Sequence, residues 1–460
     1  MFSKTVLAAA LAAAFALPVS ASAAADDKEL AAIREQIRQM KESYEARLQA
    51  LEQRLQDAQA AAAQAQNAAA QAAPPAPAEP APISAPVTAS NAFNPNISLV
   101  LGGTMSNLSQ DPALYRIQGF VPPAGEVGPG KRSFNLGESE LTMAANIDPM
   151  FAGQLTFSLT GDDTVSVEEA FVQTRALSNG LNFRAGRFLS SVGYLNSQHA
   201  HAWDFVDAPL AYQAFFGGQY KPDGLQAKWL APTDTFIELG METASGSSFP
   251  GNDRNKNGFG ATSVFAHVGD DIGDSGSWRA GLSYLRTGAT DRSYEDNGLA
   301  NAFSGSSRLW IADGIYKWAP NGNPTQQNFK LQGEYFRRKE SGTLAAGGDV
   351  GSFDSSQSGW YLQGVYQFMP TWRAGLRYDR LSSGTPSIGL VDNGTLGLAL
   401  FPALAAYSPT RSSVMLDYSP SEFSRLRLQL ARDQARPGVT DNQIFLQYIM
   451  SLGTHAAHAF

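Results

Sequence analysis

The chain has 460 residues, enough for more than one domain, and a formal net charge of -8. The charge is spread along the chain, so neither nucleic acid nor an anionic membrane surface is an expected partner. There is no cysteine, which excludes disulfides and thiolate zinc sites, and the high aromatic and glycine content with few charges fits a membrane barrel, whose strands are only half apolar.

Residues 1–23 read as a secretory signal peptide. Lys4 supplies the basic start, Val6 to Leu17 the apolar stretch, and Ala21-Ser22-Ala23 the small-residue cleavage site. Residues 24–62 read as a periplasmic α-helical coiled coil. Its seam runs Leu30, Ile33, Ile37, Met40, Tyr44, then Leu48, Leu51, Leu55, Ala58, with one four-residue stutter after Tyr44. So narrow a stripe needs a partner, and isoleucine along the seam leans towards three helices over two. A single amphipathic helix lying on the barrel rim is the competing reading. Residues 63–92, rich in Ala, Gln and Pro, form a linker.

From Asn96 the apolar period becomes two, and residues 93–460 are expected to form a transmembrane antiparallel β-barrel, an all-β fold. Sixteen strands are predicted: 96–106, 134–147, 151–160, 164–176, 181–188, 224–231, 235–243, 258–269, 278–287, 306–318, 327–339, 356–368, 371–380, 408–418, 423–433 and 441–453. Leu426, Leu428 and Leu430 share one face, with Arg425, Arg427 and Gln429 opposite. Short turns such as Asp148-Pro149 and Pro420-Ser421 alternate with long loops at 107–133, 189–223, 340–355 and 381–407. That asymmetry is expected of an outer-membrane barrel and not of a β-sandwich, and no blade-like repeat suggests a propeller. Trp229, Trp278, Trp318 and Trp372 fall near the short turns with Phe151, Phe236 and Phe423, as an inner aromatic girdle would. Trp310 and Trp360 lie on the loop side, and Phe460 is a frequent last residue of such barrels.

Signal, coil, linker and sixteen strands together resemble trimeric outer-membrane porins with an N-terminal coiled coil, of the DcaP-like type. Asn182-Phe183-Arg184-Ala185-Gly186-Arg187-Phe188 is similar to the strand entering a long loop in the phosphate-selective porin O/P family. His199-Ala200-His201-Ala202-Trp203-Asp204-Phe205-Val206-Asp207-Ala208-Pro209-Leu210 and Tyr448-Ile449-Met450-Ser451-Leu452-Gly453 resemble proteobacterial barrels labelled zinc-regulated or TonB-dependent receptors. An energised receptor needs a folded plug and about 22 strands, for which this chain has no room. The resemblance implies location in the outer membrane of a Gram-negative cell, with the coil in the periplasm. It also implies a third loop that folds into the pore.

The third outer loop, 189–223, carries His199, His201, Trp203, Asp204, Asp207 and Tyr212, the expected constriction residues. Arg373, Arg377, Arg411, Arg425 and Arg427, with Asp379 and Asp417, share the non-lipid face of neighbouring strands and are the expected pore wall. An arginine facing lipid at mid-depth costs about 2–4 kcal/mol, so these side chains point inward. Cations facing an acidic loop set up a transverse field; alternatively, the arginines pair with Asp379 and Asp417 and hold the lumen together. Glu138 and Glu140 also face inward. His199 and His201, with Asp204 or Asp207, have the donors for zinc or copper, although their spacing is no zinc motif. His455/His458 form a second pair, and His267 falls to the lumen or a turn. No cofactor is required, and no catalytic constellation is present. The expected function is a porin, not an enzyme, passing small hydrophilic solutes passively. It would be a homotrimer joined by its coil and barrel walls, embedded in outer-membrane lipid. The alternatives are a zinc-linked metal-uptake or metal-binding barrel and a plugged structural or adhesive barrel.

Overall fold

In the computed structural model the described residues are 95–123, 127–161, 164–175, 177–252 and 257–453. The expected signal, coil and linker, and the His455/His458 pair, lie outside them.

Among the described residues the strands run in chain order as β1 (Asn96–Leu108), β2 (Ser133–Leu136), β3 (Ser139–Asn146), β4 (Phe151–Leu159), β5 (Val165–Thr174) and β6 (Leu181–Arg187). Next come β7 (Asp223–Leu230), β8 (Phe236–Ala244), β9 (Ala261–Ile272), β10 (Gly276–Asp296), β11 (Leu299–Trp318) and β12 (Asn328–Ala346). The last six are β13 (Asp349–Met369), β14 (Trp372–Ser382), β15 (Ser387–Ile388), β16 (Thr410–Ser421), β17 (Ser424–Arg436) and β18 (Val439–Gly453). All eighteen belong to one antiparallel sheet, and β18 returns to β1, from Ser98 opposite Gly453 to Leu108 opposite Gln443. The sheet is therefore closed. β2 and β3 are two pieces of one stave, since both pair with β1, and β15 is a two-residue addition to β13. Sixteen staves remain, in agreement with the sixteen predicted strands.

The alternation that predicts the strands also orients them. Leu426, Leu428 and Leu430 are 41%, 42% and 48% exposed, while Arg427 and Gln429 beside them are 1% and 0% exposed. Ile444, Leu446, Tyr448 and Leu452 repeat the outward pattern. A band of apolar side chains on the outside with polar ones inside is stable only against lipid. Leu428→Arg, near mid-height of the band, is expected to cost about 2–4 kcal/mol, read as reduced folding into lipid vesicles; unchanged folding would exclude this face from lipid.

Exposed Trp229, Trp278, Phe151, Phe236 and Phe423 crowd the short-turn end. A second aromatic belt lies on the loop side: Trp310 packs on Tyr284 at 4.7 Å and Trp360 on Tyr378 at 5.5 Å. From Trp318 to Trp310 is eight residues along β11, about 27 Å along the strand and less along the axis, close to the expected membrane band.

Beyond that belt the sheet departs from expectation. Residues 340–355, predicted as a long loop, are the tip of the β12–β13 hairpin, with Ala346 opposite Asp349 across Gly347-Gly348. Likewise β10 and β11 run on to Asp296 and Leu299. Outside the membrane the outward face no longer meets lipid, so the ladder continues without an outward apolar signal in the sequence. Inside these tips, Phe303, Leu344 and Phe353 pack with Ile388, Leu390, Phe401 and Leu404 from the loop after β14. A larger apolar cluster sits in the lumen, built around the helix α1 (Leu210–Phe216), all of whose residues are buried.

Candidate functional site

Residues 189–222 turn into the lumen, where their backbone needs partners that water would otherwise supply. The wall provides them. Glu242 accepts from Ser190 Oγ at 2.5 Å and from Ser191 N at 3.0 Å. Glu334 on β12 accepts from the backbone N–H groups of Tyr194 and Leu195, at 3.1 and 3.0 Å, and from the hydroxyls of Tyr212 and Tyr361, at 2.9 and 2.6 Å. Gly193 makes this approach possible. Its φ is +71°, and a Cβ there would stand 2.4 Å from Glu334 Oε2. The loop then forms α1, whose C-terminus closes on Gly217 in the left-handed region, with Gly218 N donating to Tyr212 O at 3.3 Å. Phe215 stacks on Phe336 of the wall at 5.7 Å, and Tyr212 is fully buried.

The arginines hold the same loop from the other side. Arg377 reaches Asp207 Oδ1 at 2.6 Å and Arg411 reaches Asp207 Oδ2 at 2.7 Å. Arg373 contacts Asp204 at 3.3 Å and Asp417, while Lys330 reaches Asp204 at 2.6 Å. Arg427 pairs with Asp417 at 2.8 Å, and Arg377 with Asp379 at 3.1 Å. Several guanidiniums also serve loop carbonyls: Arg427 donates to Trp203 O at 2.9 Å, Arg411 to Ala208 O at 2.6 Å, and Arg425 to His201 O. All seven predicted wall residues thus lie in the lumen, in contact with the loop or with one another. Burial opposes the charge on Asp207, but Arg411 and Arg377 outweigh it and lower its pKa to about 2. Asp204 is likewise lowered, burial being outweighed by Lys330 and Arg373.

The histidines have other partners than those expected. Asp204 and Asp207 are taken by the basic groups, and His199 and His201 meet glutamates of the wall instead. His199 Nδ1 is 3.0 Å from Glu140 and 3.1 Å from Glu168, its Nε2 is 3.1 Å from Glu169, and His201 Nδ1 is 2.7 Å from Glu140. A single turn, Ala200–Ala202, lets the two rings stack, 5.5 Å apart and 23° from parallel. Burial works against the His199 imidazolium, but hydrogen bonds to Glu140, Glu168 and Glu169 more than compensate and raise its pKa well above the ordinary value. His267 is a luminal residue of β9, its Nδ1 3.0 Å from Glu238.

Glu168 and Glu169 were not among the predicted site residues, yet they had a signal. Adjacent residues of a regular strand face opposite sides, so one of two neighbouring glutamates would meet lipid. The register records the solution: Thr156 pairs with Glu169 and Phe157 with Val167, leaving Glu168 as the extra residue of a β-bulge. Both carboxylates are buried on the luminal side.

Three cavities meet at this segment. One of about 880 Å³ opens among the short turns and reaches His199, His201, Lys317, Lys330 and Arg425. Two on the loop side, about 590 and 300 Å³, share Glu138 and Trp203, and the smaller also touches His201. The segment His199 to Trp203 thus lines cavities towards both ends of the barrel and stands between them as a partition.

A closed barrel that is apolar outside, polar inside and crossed by a luminal loop defines the chain as a transmembrane β-barrel of the outer-membrane type. It belongs to one family with an uncharacterized protein of Aquifex aeolicus (strain VF5), 30% identical over 401 residues that cover 80% of each chain. No family model matches. The solved structures to which it is similar include three outer-membrane proteins. The channel DcaP of Acinetobacter baumannii is 12% identical, with TM-score 0.49 over 78% of this chain and 97% of that one. OmpT of Vibrio cholerae is 12% identical, with TM-score 0.48 over 80% of this chain and 100% of that one. The anion-selective porin of Comamonas acidovorans is 12% identical, with TM-score 0.47 over 78% of this chain and 99% of that one.

Proposed function

We propose that the protein is an outer-membrane porin for passive diffusion of small hydrophilic solutes, filtered where loop 189–223 stands against the arginine face of β14, β16 and β17. The observation that carries this reading is that cavities open towards both ends of the barrel and that both reach the segment His199 to Trp203. Cavities lined by charged and polar side chains at both ends of a closed barrel have no evident use in a plugged adhesive or structural barrel. The arginine face first anchors the loop through Asp204 and Asp207. Around the inner vestibule Lys317, Lys330, Arg373 and Arg425 outnumber Asp204 and Glu422, and this surplus of positive charge biases it towards anions. Assembly as a homotrimer through the heptads of residues 24–62 and the barrel walls belongs to the same reading, with the coil in the periplasm.

Planar bilayers test it. Insertion should give ohmic conductance in groups of three equal steps; a silent, inserted barrel would end the porin reading. In a potassium chloride gradient, Arg425→Ala with Arg427→Ala should move the reversal potential towards cation selectivity. An unmoved potential would take the arginine face out of the filter.

A further inference from the structure

The partition also presents an arrangement that a passive filter does not need. A neutral imidazole carries one N–H and one lone pair. If His199 gives its N–H to Glu169, 3.1 Å from Nε2, its Nδ1 lone pair points at two carboxylates, Glu140 at 3.0 Å and Glu168 at 3.1 Å. Lone pairs on three such atoms repel unless a cation lies among them. The cation is either a proton on His199 or a metal ion held in its place.

Three further observations favour the metal. Glu140 Oε1 is 2.7 Å from His201 Nδ1, so one buried carboxylate faces both rings, and one donor atom each from Glu140, His199 and His201 lies within 4.8 Å of the others. The nearest donor pairs, 2.7–3.1 Å apart, need to open by less than about 1 Å to reach the roughly 3.3–3.6 Å between tetrahedral ligands with bonds of about 2.0–2.2 Å. Glu168 Oε1 is fully buried and accepts no hydrogen bond, with Lys221 Nζ 3.8 Å away. And the ladder of β5 is broken by a bulge that turns both Glu168 and Glu169 inward. A carboxylate behind the far nitrogen of a histidine is the usual device that orients a metal-binding imidazole, and Glu169 occupies that position. A second trio, Glu138, Glu140 and Glu168, shares Glu140 but is oxygen only. The imidazoles favour zinc, copper or nickel over magnesium or calcium.

We infer that Glu140, His199 and His201 form a binding site for a borderline divalent transition-metal ion, with Glu168 as a fourth donor and Glu169 orienting His199. The site ties the third loop to β3 and β5, in the partition between the two ends of the pore. This goes beyond passive diffusion and does not depend on it, because occupancy can be read in detergent without any current.

The test is zinc chloride titrated into the purified, untagged full-length protein, with bound zinc measured by equilibrium dialysis. The wild type should take up one zinc per barrel. His199→Ala with His201→Ala, and separately Glu140→Gln, should weaken uptake at least tenfold, while His455→Ala with His458→Ala leaves it unchanged. Each variant is compared only if it keeps the heat-resistant barrel mobility of the wild type; Glu140→Gln preserves shape should the histidine pair fail to fold. A cobalt titration of the wild type adds a second measurement, since nitrogen ligation gives visible absorption bands. Equal zinc uptake in the folded variants, or no uptake and no cobalt bands in the wild type, overturns the site and leaves a protonated His199 clasp.

Discussion

Asp207→Ala should destabilise the barrel by about 3–5 kcal/mol, the range for removing one partner of a buried ion pair, and should raise its single-channel conductance. Arg377 and Arg411, 3% and 2% exposed, meet at this carboxylate, and Gln429 Nε2 donates to it at 3.0 Å. Without it, Arg377 keeps Asp379 at 3.1 Å, whereas Arg411 Nε is 3.7 Å from the same group. One guanidinium is thus left under-paired inside the lumen. The segment from Trp203 to Pro209 loses its tightest side-chain clasp and loosens about the anchors that remain at Asp204 and Ala208. Asp207→Asn, which still accepts a hydrogen bond, should cost less. Acid tests the same contact. The folded pKa, about 2, lies below the ordinary 3.8, so this stabilisation is present above about pH 4 and lost as pH falls towards 2. Equal unfolding midpoints in urea and equal conductance in Asp207→Ala would remove the clasp from the account.

The second large effect is expected at Glu334. It gathers two backbone N–H groups and two tyrosine hydroxyls at the point where the loop enters the lumen. Glu334→Ala strands these donors, each at about 1–3 kcal/mol before relaxation, and a total of about 3–5 kcal/mol is expected. Glu334→Gln keeps one acceptor oxygen and should fall between. The reading is thermal unfolding together with open-channel noise, since a loop freed at Tyr194 fluctuates in the pore. A quiet channel with unchanged melting would show that the turn at Gly193 holds itself.

Much of this architecture is written in period-two alternation. Leu426, Leu428 and Leu430 are legible as lipid-facing because only lipid makes three exposed leucines stable. Arg373 and Arg427 are legible as luminal for the converse reason. The argument ends where the membrane ends. Above Trp310 and Trp360 no lipid enforces the pattern, and the hairpin tips read as loops. A different signal was present there: Asn297-Gly298 and Gly347-Gly348, all at positive φ, are the residues that two-residue hairpin turns require. The third loop could be read as luminal from its aromatic content, but its partners could not. Glu140, Glu168 and Glu334 lie 59, 31 and 140 residues from His199, His199 and Tyr194 respectively, and only the path of the loop brings them together. That is why aspartates three to eight positions away are the expected metal partners and distant glutamates the observed neighbours.

The unequal strands have a consequence for how anything reaches this barrel. β11 has 20 residues and β4 has 9, a difference of roughly 36 Å along the strand at about 3.3 Å per residue. The rim is therefore a parapet on one flank and a doorstep on the other. The doorstep lies beside β4 and β5, where Glu138 and Lys221 edge the larger loop-side cavity. A solute would arrive there sideways, skimming the headgroups, while an antibody or phage tail would strike the parapet first. A peptide spliced between Gly347 and Gly348 would ride on the parapet, displayed to the outside and clear of the doorway.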